Sequence, residues 1–321
     1  MNLPRVIILG ASGFLGQALS QHLIDRGYAV TQVSRRRPAT AAGRFCPWDG
    51  ARLGAWTSEL NGAAAVINLC GRSVNCRYDA RHRADILRSR VEPTRLVGEA
   101  LARCVQPPRV WLNASTATIY REARDRPMDE TTGELGEGFS VEVARAWEAA
   151  LARGARPGVR SIALRTSMVL GHGDNSVYPV LRGLVRAGLG GRQADGGQYV
   201  SWIHLEDFCR AVEWLLEHPR EGAINLTAPD PVPNHEFMRI LRESLGGRWG
   251  LPAPASLLAT GAWMLRTEPE LVRKSRWVLP RRLLEGGFTF RYGNLEGALA
   301  QLAGSPLCDW AKPPPVPYSA A

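Results

Sequence analysis

Lysine is almost absent from this chain. Lys and Arg number 40 and the formal net charge is +10, yet the only lysines are Lys274 and Lys312. A phosphate-binding loop of the Walker type needs a lysine beside its glycines, so the glycine-rich start of this chain is not one. The arginines form no basic stripe with interleaved aromatic residues, and we therefore expect no binding of nucleic acid.

Long apolar runs and paired cysteines are also absent. No run is long enough to cross a membrane, and residues 1–5 lead directly into a strand pattern without the apolar stretch of a secretory signal. The six cysteines include no Cys-x-x-Cys pair. This pattern is typical of reduced thiols and predicts no zinc framework or other metal site. We expect a cytoplasmic protein without a membrane segment.

The most informative feature that is present is a glycine turn near the start. Gly10, Gly13 and Gly16 lie between an apolar strand pattern at residues 6–9 and a helical pattern from Phe14. Such a turn directs backbone N–H groups and a helix N-terminus at one point, which suits a pyrophosphate. The alternative is an ordinary strand–helix turn without a ligand. The predicted cofactor contacts in the turn are Gly10, Ser12, Gly13, Phe14, Leu15 and Gly16.

Strand and helix patterns alternate through the first two thirds of the chain. Strands are predicted at residues 6–9, 28–33, 64–69, 109–113, 161–165 and 223–226. Helices are predicted at residues 14–26, 79–103 with an interruption near Pro93, 137–153 and 205–217. The alternation predicts an α/β fold, a Rossmann-type doubly wound parallel sheet with helices on both faces. Ligands of such sheets bind at the carboxyl ends of the strands.

The sequence pattern changes after about residue 235. We predict a Rossmann domain over residues 1–235, with a substrate-side insert at about 171–200, a small, mainly helical lobe over 236–308, and a Pro-rich tail over 309–321. Asn234 is expected to cap the first helix of the lobe. Helices of the lobe are predicted at residues 236–244, 256–265, 268–276 and from 280. The pocket is expected between domain and lobe.

The end of the second predicted strand favours NADP(H) over NAD(H). A site for NAD usually places a carboxylate there, on the ribose hydroxyls. This chain has Ser34, Arg35 and Arg36 instead. A hydroxyl and guanidinium groups suit a 2′-phosphate, through charge-assisted hydrogen bonds. The alternative is a solvated loop in an arginine-rich chain.

Several motifs together resemble the extended or atypical short-chain dehydrogenase/reductase family. They are residues 10–16, 68–71, 114–120, 164–171 and 201–207. The second half, at residues 190–191, 198–207, 225–231 and 280–288, is similar to the uncharacterised "epimerase family protein" subgroup, which ends in a small domain of unknown function. The resemblance covers roughly residues 4–300. It implies an NADP(H)-binding Rossmann protein but supplies no substrate.

The resemblance also implies further binding residues. The additional cofactor contacts are Cys70, Gly71, Arg90, Ala114, Arg165, Thr166 and Ser167. Arg90 replaces an Asn that the family often keeps, and a core salt bridge is its alternative role. Gln198, Ser201 and Trp202 stand where extended members bind substrate, although Trp202 is equally suited to a core.

The family's usual catalytic set is incomplete here. That set is a Ser or Thr, which Thr116 matches, and a Tyr-x-x-x-Lys pair on the next helix. An alignment on Glu148 puts Ser140 and Ala144 at the Tyr and Lys positions. Because no lysine precedes residue 274, the Rossmann part contains no such pair.

Substitutes for the missing acid are few. Tyr120 follows the fourth strand, but its family counterpart usually packs in the core. Glu142 lies on the helix that would carry the pair. His204 is better explained as a buried structural histidine, and Glu148 as a structural residue.

Three functions remain open from the sequence. The first is an NADP(H)-dependent oxidoreductase with an atypical active site, acting on an unidentified small molecule held near Thr116 and Ser167. The second is a non-catalytic NADP(H)-binding sensor or regulatory protein, which the missing pair favours. The third is a nucleotide-sugar epimerase or dehydratase. The expected partner is a small-molecule substrate, and a homodimer is the assembly we consider.

Overall fold

A parallel sheet lies at the centre of the fold. The computed structural model describes residues 3–38, 43–254 and 273–304. Its strands are β1 (Arg5–Leu9), β2 (Ala29–Ser34), β3 (Arg44–Pro47), β4 (Ala65–Asn68), β5 (Val110–Thr116), β6 (Arg160–Thr166), β7 (Met168–Leu170), β8 (Tyr199–Val200), β9 (Trp202–His204), β10 (Gly222–Leu226) and β11 (Val232–Pro233). Seven of them form one sheet in the order β10-β6-β5-β4-β1-β2-β3, with all neighbours parallel.

Helices cover both faces of this sheet. They are α1 (Phe14–Asp25), α2 (Ala80–Ala102), α3 (Phe139–Gly154), α4 (Val177–Arg186), α5 (Leu205–Glu217), α6 (Asn234–Ser244), α7 (Arg281–Glu285) and α8 (Leu295–Ala303). Along β1, Val6 and Ile8 pack with α1 and α5 on one face, while Ile7 and Leu9 pack with α2 and α3 on the other. A strand buried on both faces reads as a continuous apolar run, as residues 6–9 do. The predicted α/β fold of Rossmann type is confirmed.

A separate core joins the insert to the C-terminal region. It includes Tyr178 from α4 in the insert, Trp202 from β9, Phe237 from α6 and Leu299 from α8. The insert and the lobe therefore share one hydrophobic cluster across the proposed boundary at residue 235, which stays a prediction. Among the described residues, no helix is both apolar and long enough to span a membrane.

Three local expectations were wrong. Helix α2 runs without interruption through Pro93, which is buried. Proline cannot donate the backbone hydrogen bond at this position, yet the helix continues, and five residues later it packs closely on α3, where a Cβ on Gly98 would lie 2.7 Å from the Cα of Gly154. Asn234 does not cap α6, because its side-chain oxygen accepts the N–H of Gln193 at 2.7 Å.

The third correction concerns the C-terminal segment. Residues 274–276, expected at the end of a helix, are not helical. Instead, the N–H of Arg276 donates to the carbonyl of Tyr199 at 2.8 Å. The helix predicted at 256–265, the start of the one at 268–276, and the tail at 309–321 lie outside the described residues.

Candidate functional site

The glycine turn between β1 and α1 is shaped by close backbone contacts. Gly10 has φ of +80°, and a Cβ there would lie 2.9 Å from the carbonyl carbon of Leu69. A Cβ on Gly16 would lie 2.7 Å from the Cα of Ala11. Gly13 differs, because its Cβ would meet only the carbonyl oxygen of Gly10, at 3.4 Å. Contacts within the protein therefore require glycine at positions 10 and 16. Gly13, in contrast, leaves a space open outside the chain.

The N-terminus of α1 faces this open space, and within the described residues no side chain caps it. Its N-cap residue, Gly13, offers no side-chain cap, and the first turn contains no acidic residue. Ser12 is exposed and its carbonyl accepts the side chain of Gln17. The ring of Phe14 covers Gly171 and Gly173, which follow β7. Free N–H groups and the helix dipole make the turn suitable for a phosphate.

The end of β2 presents two exposed guanidinium groups. Ser34 is buried, and its hydroxyl donates to the carbonyl of Arg36 at 2.7 Å. Arg35 and Arg36 are exposed. Arg35 also lines a cleft of about 540 Å³ that continues to the loop after β3. The sequence does not reveal this cleft, because β3 has only four residues and shows no clear strand pattern.

The loop after β4 adds a half-buried thiol next to the turn. The N–H of Cys70 donates to the side-chain oxygen of Asn68 at 3.1 Å. Burial raises the pKa of Cys70 to about 12, although the charge of Arg35 lowers it. The thiol is therefore protonated at neutral pH, which argues against a nucleophilic role.

Arg90 lies beneath the same loop. Its guanidinium donates to the carbonyls of Ile86 and Arg72, both at 3.1 Å, and lies over the Trp147 ring. A Cβ on Gly71 would be 3.4 Å from its central carbon. Burial lowers the pKa of Arg90 to about 10. No ion pair with a carboxylate is present in the described part of the chain, so the alternative of a core salt bridge does not hold there.

Thr116 ends β5 with a half-buried side chain. Its hydroxyl oxygen accepts the N–H of Thr118 at 3.2 Å and lies 3.0 Å from the Thr118 hydroxyl. Ala114 is half-buried two residues earlier in the same strand. Either hydroxyl can be the donor in this contact, and when Thr118 donates, the Thr116 proton is available to orient a substrate oxygen.

A buried apolar side chain occupies the position where the family pair would place its Lys. Ala144 is fully buried in an apolar cluster with Tyr120, Met128 and Val278. Glu142 is exposed in the first turn of α3. Its role as a substitute acid stays a prediction.

Tyr120 belongs to a buried polar network. Its hydroxyl donates to the side-chain oxygen of Asn225 at 3.0 Å and accepts from Arg165 at 2.9 Å. Burial raises the pKa of Tyr120. These contacts favour a packing role, and the catalytic role stays a prediction.

Arg165 forms hydrogen bonds within the same network. It contacts both carboxylate oxygens of Glu148, at 2.8 and 2.7 Å, and Glu148 also accepts the Ser115 hydroxyl at 2.6 Å. Burial lowers the pKa of Arg165, but the hydrogen bonds and charge interactions with Glu148 and Tyr120 together outweigh burial and raise it. The hydroxyls of Thr166 and Ser167 donate to backbone carbonyls. Cofactor contacts by these three residues stay predictions.

The three substrate-side residues hold other parts of the chain. Gln198 is buried and donates to the carbonyl of Gln193 at 2.9 Å. Ser201 donates to the carbonyl of Arg276 at 2.7 Å. Trp202 is fully buried, and its indole N–H donates to the carbonyl of Asp230 at 2.9 Å. All three anchor the insert or the C-terminal segment, and their substrate contacts stay predictions.

Two further features concern proton transfer. His204 is buried and its Nε2 lies 3.0 Å from the Gln301 side-chain oxygen. Burial lowers its pKa, in keeping with a structural histidine. Lys274 follows the Rossmann part in the sequence. In the fold, its Nζ lies 3.8 Å from the position that a Cβ on Gly138 would take, just before α3. Only the folded chain brings this cation to the helix that lacks the pair.

The family of the chain follows from comparison with known proteins. The profile of the NAD dependent epimerase/dehydratase family matches residues 6–227, and a domain of unknown function, DUF1731, matches residues 253–302. The chain belongs to the NAD dependent epimerase/dehydratase family. The resemblance inferred from the motifs is confirmed.

Two relatives match nearly the whole chain. Human "Epimerase family protein SDR39U1" is 31% identical over 302 residues, which are 93% of this chain and 99% of the relative. "Epimerase family protein ML0860" of Mycobacterium leprae is 31% identical over 303 residues, which are 94% and 96% of the two chains.

Two solved structures also match nearly the whole chain. The crystal structure of human SDR39U1, isoform 2, with NADPH has a TM-score of 0.82 at 30% identity, over 94% of this chain and 99% of that chain. MoeE5 in complex with UDP-glucuronic acid and NAD has a TM-score of 0.74 at 22% identity, over 94% and 98%. At that identity the second match shows the fold alone.

Proposed function

We propose that the chain binds NADP(H) at the glycine turn and acts as an oxidoreductase without a Tyr-x-x-x-Lys pair. The observation that carries the proposal is the turn itself, where Gly13 keeps open a space that the uncapped N-terminus of α1 faces. The carboxylate-free end of β2 supports NADP(H) over NAD(H). A relative of similar length was crystallised with NADPH, which supports the same cofactor here.

The chain offers a partner for each charged part of this cofactor. The turn at Gly13 and the start of α1 would hold the pyrophosphate, and the exposed Arg35 and Arg36 would hold the 2′-phosphate. When bound, NADPH supplies a hydride. Thr116 would orient a substrate oxygen through its hydroxyl, without transferring a proton itself.

The missing pair limits the chemistry that we propose. The pKa of Tyr120 is raised and its hydroxyl is engaged, so it is a poor base at neutral pH. General acid–base help is worth roughly 10²–10⁴-fold. We therefore expect slow turnover, or a substrate whose reduction needs little proton assistance.

The preference for NADP(H) is tested by Arg35→Ala. Loss of one charge-assisted contact to the 2′-phosphate should weaken NADPH binding by about 1.5–3 kcal/mol and leave NADH binding nearly unchanged. Fluorescence titration of wild type and variant with both cofactors measures this difference. A variant with wild-type affinity for NADPH would remove Arg35 from the site.

The role of Thr116 is tested by Thr116→Val, which keeps the shape and removes the hydroxyl. Turnover in a screen of carbonyl substrates, followed by NADPH absorbance, should fall roughly tenfold, whereas NADPH affinity should stay the same. The pH–rate profile is the control. A steep limb near neutrality that vanishes in Glu142→Gln or His204→Gln would reveal a substitute acid and contradict this account.

A second candidate function is a non-catalytic NADP(H)-binding sensor. The burial of Ala144 in an apolar cluster favours it, because the position of the usual lysine is closed by packing. Tight NADPH binding without turnover on any carbonyl or hydroxyl substrate would make this the better proposal.

A further inference from the structure

The cleft at the ends of β2 and β3 is lined by a second arginine besides Arg35. Arg35 and Arg52 both line it, with Trp48 and Trp56 in its wall. Both arginines are exposed, and neither forms an ion pair with a carboxylate in the described ranges. Other exposed arginines are paired with acids, as Arg239 is with Glu236 and Glu243.

The loop that carries Arg52 is fixed by hydrogen bonds. The carbonyl of Arg52 accepts the indole N–H of Trp48 at 2.6 Å and that of Trp56 at 3.3 Å. Its own N–H donates to the Asp49 carboxylate at 3.1 Å, and the N–H of Ala51 does so at 2.8 Å. These backbone hydrogen bonds, led by that of Ala51, lower the pKa of Asp49, and the charge of Arg52 lowers it further. Asp49 shapes the loop and also lines the cleft, so the cleft contains one carboxylate besides the two guanidinium groups.

The two indoles that hold the loop are themselves anchored. Trp56 is fully buried and Trp48 nearly so, and their ring centroids are 4.8 Å apart. Backbone anchoring of this kind places the start of the Arg52 side chain at a fixed point, although its end is solvated. A preorganised cation binds a phosphate at a lower entropic cost than a mobile one.

We propose that Arg52 forms a clamp with Arg35 around the 2′-phosphate of the cofactor, so that the loop after β3 contributes to cofactor specificity. The inference rests on the proposed binding of NADP(H). One guanidinium group from the end of β2 and one from the loop after β3 can together hold a phosphate dianion.

The test uses two nucleotides that fill only the adenosine half of the site, 2′,5′-ADP and 5′-AMP. They differ in the 2′-phosphate alone. Calorimetry should show that Arg52→Ala weakens 2′,5′-ADP binding by roughly threefold to thirtyfold and leaves 5′-AMP unchanged. Arg52→Lys should recover part of the affinity. Arg186→Ala removes an equally exposed charge from α4 and should change neither.

The outcomes separate this inference from the proposed function. If 2′,5′-ADP binds wild type and Arg52→Ala equally, the clamp is overturned and NADP(H) binding stands. Equal weakening of both nucleotides also overturns the clamp, because Arg52 would then act on the adenosine. If wild type binds neither 2′,5′-ADP nor NADPH, the proposed function itself fails.

Discussion

Gly13→Val is expected to abolish NADPH binding and to leave the thermal stability close to that of wild type. Gly13 has φ of −79° and ψ of 168°, which valine adopts without strain. Its Cβ would meet only the Gly10 carbonyl oxygen at 3.4 Å, and no side-chain cap is lost. The added side chain would fill the space where the pyrophosphate must approach the backbone. Calorimetry and thermal melting measure the two effects.

Gly16→Val is the matched variant with the opposite expectation. Its Cβ would lie 2.7 Å from the Cα of Ala11 and still closer to the Gly10 carbonyl oxygen. Both are backbone atoms that cannot move aside, so α1 could not pack on β1. We expect little folded, soluble protein. Native-like NADPH affinity in Gly13→Val, or a native melting temperature in Gly16→Val, would show that the turn is assigned wrongly.

Glu148→Gln is expected to produce the largest loss of stability among substitutions outside the turn. It leaves the Arg165 guanidinium, whose side chain is only 11% exposed, without its carboxylate partner. Loss of one partner of a buried ion pair costs about 3–5 kcal/mol. The free energy of unfolding in urea measures this cost.

The control for this variant is an ion pair at the surface. Glu243 pairs with Arg239 and its side chain is 58% exposed, so Glu243→Gln should cost about 1 kcal/mol or less. Equal stability of the two variants would mean that the network around Tyr120 is not a structural element, and the case for Tyr120 as an acid would be stronger.

Much of the cofactor side could be predicted from the sequence because it depends on local patterns. The turn from Gly10 to Gly16 is contiguous, and its strand and helix directly flank it. The exposed arginines at the end of β2 could be predicted because only the position of the strand end had to be recognised. Local geometry of this kind is specified by residues next to each other in the chain.

The remaining parts of the candidate site depend on contacts between residues that are far apart in the sequence. The network of Tyr120 joins Arg165 and Asn225, which lie 45 and 105 positions further along the chain. Likewise, Ser201 holds the C-terminal segment through Arg276, 75 positions away. No periodicity signals such pairs, so the sequence left Tyr120 as a candidate acid and treated the segment as helical.

The cleft beside β3 was missed for a different reason. Strand β3 has four residues and ends at Pro47, so its hydrophobic pattern is too short to recognise. That Arg52 and Arg35 line the same cleft can be recognised only in the folded chain, where β3 lies beside β2.

A calorimetric titration of the wild-type chain with NADPH and NADH tests the central claim most directly. The account predicts saturable binding of one cofactor per chain, with NADPH tighter than NADH by roughly tenfold or more. Equal affinity for the two cofactors, or no saturable binding of either, would contradict it.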